Sequence, residues 1–194
     1  MIICIVGKSG SGKSYICKLF QEMSQNIIHL DIDNISHEVL TYPKVYNELV
    51  NTFGMSVSNT DNKTINRRNL GNIVFNSVKE MDKLTRITWP CMQSIIDDFI
   101  CKHDNNIILL DWQLLLNTKY YNLSDIKILV ESPIELRRQM TILRDNITEE
   151  LFETRDKASF EFNSNEFDYI INNDYSDKVK EKVKEIYDKS IVSR

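Results

Sequence analysis

Residues 7–14 read Gly-Lys-Ser-Gly-Ser-Gly-Lys-Ser, the G-x-x-x-x-G-K-[ST] spacing of a phosphate-binding loop. A phosphate chain must be met by several backbone N–H donors turned inward, and only a tight loop poor in Cβ atoms presents them; Gly7, Gly10 and Gly12 permit that path. Lys13 is expected to bridge the β- and γ-phosphates of ATP and the Ser14 hydroxyl to ligate Mg²⁺, while Ser9, Ser11 and Tyr15 complete the expected nucleotide contacts. A helix beginning at Lys13 adds its positive N-terminal end. The plain alternative is a flexible Gly/Ser turn. Against it stand the apolar run Ile2–Val6 before the loop and the helical spacing of Ile16, Leu19, Phe20 and Met23 after it.

Carboxylates follow two other apolar runs. Ile27–Leu30 leads into Asp31-Ile32-Asp33, and Ile107–Leu110 leads into Asp111. In open parallel sheets the carboxyl ends of the strands hold the ligand, so Asp31 and Asp33 are expected to face the same crevice as the loop. Asp33 reads either as the group that takes a hydroxyl proton from an acceptor or as the N-cap of a helix over 34–40. Asp111 reads as a partner of Mg²⁺ through a water, as an acceptor contact, or as a turn cap. Arg144 and Arg155 lie on two helical stretches in tandem, where they would close over phosphates or remain solvated. Trp89 and Trp112 are candidates for stacking on a flat ligand or for the core. His29, His37 and His103 show no metal-ligand spacing and no neighbouring cysteine, so no zinc site is read.

The elements that must position these groups are legible from periodicity. Strands are expected at Ile2–Val6, Ile27–Leu30, Ile107–Leu110, Ile126–Val130 and Phe167–Ile171, separated by helices, which implies a doubly wound parallel five-stranded α/β sheet. Pro43–His103 is mainly helical, with a turn-like break over 56–63 and an interruption at Trp89-Pro90. Ser132-Pro133-Ile134-Glu135 has the form of a capping box opening a helix that runs towards Arg144. A second helical stretch follows over Thr148–Phe160, and Asp177–Lys189 carries Val179, Val183 and Ile186 on one face. The organisation expected is one domain over 1–194: a core of about 1–42, 104–135 and 161–194, a helical acceptor-binding insertion at about 43–103, and a lid at about 136–160.

Composition narrows the function classes. A formal net charge of −4 supplies no basic field for a nucleic-acid duplex. The four cysteines form no C-x-x-C pair and read as buried free thiols. The N-terminal apolar run is too short for a signal peptide, and no segment approaches a membrane span. A cytoplasmic protein is expected, as a monomer or weak homo-oligomer, with no nucleic-acid or membrane partner. GTPase chemistry is disfavoured, because Gly54 and Gly71 are preceded at the D-x-x-G spacing by Asn51 and Arg68, and no N-K-x-D segment occurs. A loop joined to a carboxylate that orients an acceptor hydroxyl, and to mobile arginines, is the pattern of small-molecule kinases.

Taken in order, the motifs resemble those of the dephospho-coenzyme A kinase family over nearly the whole chain. The phosphate loop matches, as do Leu30-Asp31-Ile32-Asp33, Phe53-Gly54, Ile65-Asn66-Arg67-Arg68-Asn69-Leu70, Val74-Phe75, Leu110–Leu116, Arg144-Asp145 and the strand Asp168–Asn173. The chain departs from the family's pattern at Trp89 of Trp89-Pro90, at Gln113, at Asn117 and beyond Arg155. The resemblance implies a P-loop kinase fold with ATP and Mg²⁺, and transfer to the ribose 3′-hydroxyl of dephospho-coenzyme A. It further implies Asp33, Lys13 and Arg144 as catalytic residues, Arg155 over the phosphates, and Asp31, Asp33, Arg67 and Asp111 as acceptor contacts. A nucleoside or nucleotide kinase, and a nucleotide-binding regulatory protein without transfer, are the competing readings.

The loop reading makes one direct demand. Lys13→Ala removes the charge partner of the β/γ-phosphates but leaves the loop backbone, so phosphoryl transfer is lost and the fold is kept. Turnover together with far-UV circular dichroism checks this, and calorimetry with Mg²⁺ present is expected to show weaker ATP binding.

Overall fold

The computed structural model describes residues 1–60 and 63–192. The chain divides into two compact units, Met1–Asp31 with His103–Arg194, and Ile32–Lys102.

The first unit is built on β1 (Ile2–Val6), whose continuous apolar run suits a strand covered on both faces. The phosphate loop and helix α1 (Lys13–Gln21) follow, then β2 (Ile27–Asp31). The chain passes through the second unit, α2 (Ile32–Glu38), α3 (Pro43–Phe53), α4 (Arg67–Val74) and α5 (Val78–Lys102), and returns at β3 (Ile107–Asp111). It ends with α6 (Lys119–Leu123), β4 (Ile126–Glu131), α7 (Ile134–Asp145), α8 (Glu149–Lys157), β5 (Tyr169–Asn172) and α9 (Asp177–Tyr187).

The five strands form one parallel sheet in the order β2-β3-β1-β4-β5. Successive side chains on a strand point to opposite faces. Ile3, Ile5, Leu109, Ile126, Ile128, Val130 and Ile171 face a core completed by Ile16, Cys17, Leu19 and Phe20 of α1 and Val179, Val183 and Ile186 of α9. The alternate residues Cys4, Val6, Ile108, Leu110 and Leu129 are at most 1% exposed, so the opposite face is buried as well. The second unit has its own core of Val45, Leu49, Val57, Ile65, Leu70 and Val74. Of the break expected over 56–63, residues 61 and 62 lie outside the described residues. It is closed by an antiparallel bridge between Ser58 and Ile65 and by the Asn59 amide donating to the Thr64 carbonyl at 2.9 Å.

Several local expectations are corrected. Helix α2 begins at Ile32 rather than Asn34, which puts Asp33 inside the first turn and removes its reading as an N-cap. Helix α5 runs unbroken through Pro90, because Thr88, Met92 and Ile96 form a buried stripe at four-residue spacing that holds both sides of the missing N–H in register. The capping box does not form: Pro133, extended at φ −50° and ψ 140°, is itself the N-cap residue, and its carbonyl accepts from the Arg137 amide. Ser132 Oγ is left buried without a partner. Helix α8 stops at Lys157, and the last strand starts at Tyr169 rather than Phe167. Trp89 and Trp112 are half-buried rather than core residues.

Ile128 is fully buried and stands in register with Ile5 on one side and Tyr169 on the other. Ile128→Ala is expected to destabilise the protein by about 2–5 kcal/mol through lost burial and the cavity left behind, read from urea unfolding.

Candidate active site

The loop between β1 and α1 is shaped from behind. Gly12 adopts φ 87°, and a Cβ there would strike the side-chain amide of Asn173. Gly10 adopts φ 77°, and a Cβ there would lie 2.5 Å from the Arg137 carbonyl and the Thr141 hydroxyl. Both positions require glycine for conformation and for space. Asn173 is fully buried just beyond β5 and donates through Nδ2 to the Ser11 carbonyl at 2.9 Å; its Oδ1 accepts from the Tyr175 amide at 3.1 Å. Tyr175 holds φ 63°, uncommon for an aromatic residue, and its ring lies 5.1 Å from that of Tyr15 on α1. The predicted nucleotide contact Tyr15 is thus a neighbour of the β5–α9 turn.

The loop's functional side chains hold internal partners. Lys13 Nζ donates to the Gly7 carbonyl at 3.2 Å, and Ser14 Oγ donates to Asp111 Oδ2 at 2.9 Å. Asp111 is 3% exposed and stands in register with Ile5 of β1 and Asp31 of β2, so both carboxylates end neighbouring strands at one level. A buried carboxylate hydrogen-bonded to the loop hydroxyl is a donor set suited to Mg²⁺, which takes oxygen ligands.

The basic residues come from α7 and α8. Arg144 Nη2 donates to Ser9 Oγ at 3.2 Å, so this arginine reaches the first half of the loop. Its Nε also donates to Asp145 at 2.7 Å, and Arg155 lies 3.9 Å from the same carboxylate. Asp145 therefore gathers both predicted arginines. Deeper down, Arg137 and Asp156 form a paired contact at 2.6 and 3.4 Å that ties α7 to α8, with the Arg137 side chain only 8% exposed. Lys8 bonds Glu161 at 2.5 Å beside a cavity of about 600 Å³ lined by Lys8, Ser11, Pro133, Arg137, Phe162 and Asn173, among others.

Asp33 and Arg67 lie in the second unit. Asn66 caps α4 by accepting from the Asn69 amide at 3.0 Å, which fixes Arg67 as the first helical residue. Arg67 Nη2 meets His37 Nε2 at 2.5 Å. A guanidinium only donates, so in this contact His37 Nε2 accepts. His37 is one turn beyond Asp33 on α2, so it draws Arg67 to the helix face that carries Asp33.

Sequence reasoning did not assign site roles to Asn173, Tyr175, Asp145, His37 or the Arg137–Asp156 pair. The run Asn172-Asn173-Asp174 at the end of the last strand is the available signal for the first of these. Nothing in the spacing of Arg137 and Asp156 marks them as partners.

The Arg137 guanidinium bonded to Asp156 holds that carboxyl below its ordinary value near 3.8. A carboxyl lowered in the folded state contributes stability that is present above its unfolded value and lost as pH falls through the folded one. Asp156→Asn is therefore expected to cost about 1.5–3 kcal/mol at pH 7. The difference from the native protein should shrink below about pH 4, as urea unfolding at several pH values would show.

Comparison with known proteins places this arrangement. A family model described as dephospho-CoA kinase matches residues 1–178. A dephospho-CoA kinase from Prochlorococcus marinus is 33% identical over 180 residues, covering 88% of this chain and 86% of that protein. Among solved structures, a Thermus thermophilus protein superposes with a TM-score of 0.80 at 21% identity, covering 98% of this chain and 97% of that one. A dephospho-CoA kinase from Campylobacter jejuni gives a TM-score of 0.59 at 20% identity over 97% and 96% of the two chains. These two likenesses establish the shared fold. The family match runs from the first residue through β5 into the start of α9, and together with the Prochlorococcus relative it establishes that this chain belongs to the dephospho-CoA kinase family.

Proposed function

We infer that this protein transfers the γ-phosphoryl group of ATP to the ribose 3′-hydroxyl of dephospho-coenzyme A, giving coenzyme A and ADP. The observation that carries the reading is the loop itself: a phosphate-binding backbone held rigid by Asn173, with Lys13, the Ser14–Asp111 pair and Arg144 around it. Family membership supplies the acceptor and disfavours a nucleoside kinase or a regulator without transfer.

The roles follow from chemistry. Lys13 exchanges its contact with the Gly7 carbonyl for the β/γ-phosphate oxygens. Ser14 and Asp111 would hold Mg²⁺, which when bound neutralises charge on those oxygens. Arg144 and Arg155, gathered by Asp145, offset the negative charge of the transferring group. The cavity beside Lys8 has the size of a small-molecule site and receives the nucleoside end of ATP. Asp33 takes the acceptor's hydroxyl proton. Arg67 binds the acceptor's anionic groups, and Asp31, level with Asp111, contributes on the acceptor side.

No helix among the described residues is long and apolar enough to cross a membrane. We place the protein in the cytoplasm, as a monomer or weak homo-oligomer acting on small molecules without nucleic-acid or membrane partners.

Incubation with Mg²⁺, ATP and either dephospho-coenzyme A or a nucleoside tests the reading. Coenzyme A and ADP are expected with the first acceptor and no product with the second, and the reverse would assign another acceptor. Asp33→Asn is expected to keep ATP affinity and melting temperature but to lower kcat by about 10²–10⁴-fold, because the amide cannot take a proton. Unchanged turnover would remove Asp33 from the chemistry.

A further inference from the structure

Beneath the Ser14 end of the loop, three side chains from three elements converge. Cys17 on α1, His29 on β2 and Asp111 on β3 place their potential ligand atoms within 4.8 Å of one another. The fold explains why. Cys17 follows Ser14 by three residues on α1, one helical turn, and so shares its face. On the sheet, His29 is in register with Leu109, two residues before Asp111 on the face turned towards α1. All three therefore point into the same layer between helix and sheet.

The polarity of the cluster is unlike the rest of that layer. Cys17 is fully buried and Asp111 nearly so. His29 Nε2 is buried, lies 3.4 Å from Asp111 Oδ2, and makes no hydrogen bond. A buried imidazole nitrogen with no hydrogen bond, 3.4 Å from a buried carboxylate and close to a thiol, is costly to keep away from water. The same three groups supply the sulfur, nitrogen and oxygen donors that suit a borderline-soft divalent ion.

We propose that Cys17, His29 and Asp111 form a binding site for a transition-metal dication of the Zn²⁺ class, which shares Asp111 with the hard-cation position at Ser14 but draws its other ligands from Cys17 and His29. Mg²⁺ selects oxygen ligands and would leave Cys17 and His29 unused, so the two ions are separated by donor chemistry. The cluster supplies three protein ligands and leaves a fourth position open, and the exposed Ser14 hydroxyl on Asp111 marks the side from which the ion arrives. Occupation engages the carboxylate that now accepts from Ser14. Binding is therefore inhibitory towards Mg²⁺-dependent transfer, a consequence that rests on the kinase reading, whereas binding itself does not.

Co²⁺ titrated into the nucleotide-free protein tests the site. One equivalent is expected to bind with an intense thiolate-to-cobalt charge-transfer band. Cys17→Ala should abolish the band, and His29→Val should weaken binding by about tenfold or more. A Cys91→Ser/Cys101→Ser variant should keep both band and affinity. Absence of the band, its survival in Cys17→Ala, or its loss in the Cys91/Cys101 variant would overturn the proposal. Thermal unfolding of each variant confirms folding, and His29→Val carries the test if Cys17→Ala does not fold. In a separate assay, one equivalent of Zn²⁺ added to the Mg²⁺·ATP reaction is expected to slow the native protein but not Cys17→Ala. Equal rates in the native protein with and without Zn²⁺ would overturn the inhibitory consequence, while the cobalt titration still reads the site in a protein with no transfer activity.

Discussion

Gly12 and Gly10 adopt left-handed conformations against neighbours that leave no room for a Cβ atom, the Asn173 amide behind one and the Arg137 backbone behind the other. The loop's N–H donors can point inward only while the β5–α9 turn and the first turns of α7 stand in place. Asn173 lies 162 residues from Ser11, and the hydrogen bond between them crosses almost the whole chain. The phosphate site is therefore a property of the completed sheet. An isolated strand-loop-helix segment has the residues but lacks the wall that selects their backbone angles.

The same dependence organises the charges. Asp111 ends β3, and parallel pairing with β1 sets it level with Ile5, just below the loop. Ser14 closes the distance from the first turn of α1. On the other side of the loop, the part-buried Arg137–Asp156 pair ties α7 to α8, and the more exposed Arg144 and Arg155 share Asp145 above it. The deeper contact is a two-bond guanidinium–carboxylate pair, whereas Arg144 and Arg155 share a single carboxylate nearer the solvent. In the second unit His37 does comparable work, holding Arg67 to the face of α2 that carries Asp33.

Much of this was legible in the order of residues. Apolar runs of four or five residues such as Ile2–Val6 and Ile107–Leu110 are readable as strands because a strand covered on both faces must be apolar on both, and the loop motif is readable because phosphate geometry tolerates few alternatives. Local rules failed for different reasons. Pro90 does not break α5 because its buried stripe at 88, 92 and 96 continues on both sides. Ser132 does not cap α7 because Pro133 occupies the cap position. Asp33 is not a cap because α2 starts directly at the end of β2.

Residue types and their spacing by themselves determined the fold class, the phosphate loop, the aspartates at the strand ends and the candidate arginines, since each is encoded within a short segment with its own period or motif. Tertiary structure alone decided the partners. Asn173 behind Gly12, Asp156 under Arg137, and His29 beside Cys17 and Asp111 are contacts between segments far apart in the chain. The histidines show no metal spacing in sequence because the ligands come from three separate elements, and only strand register and helix phase bring them together.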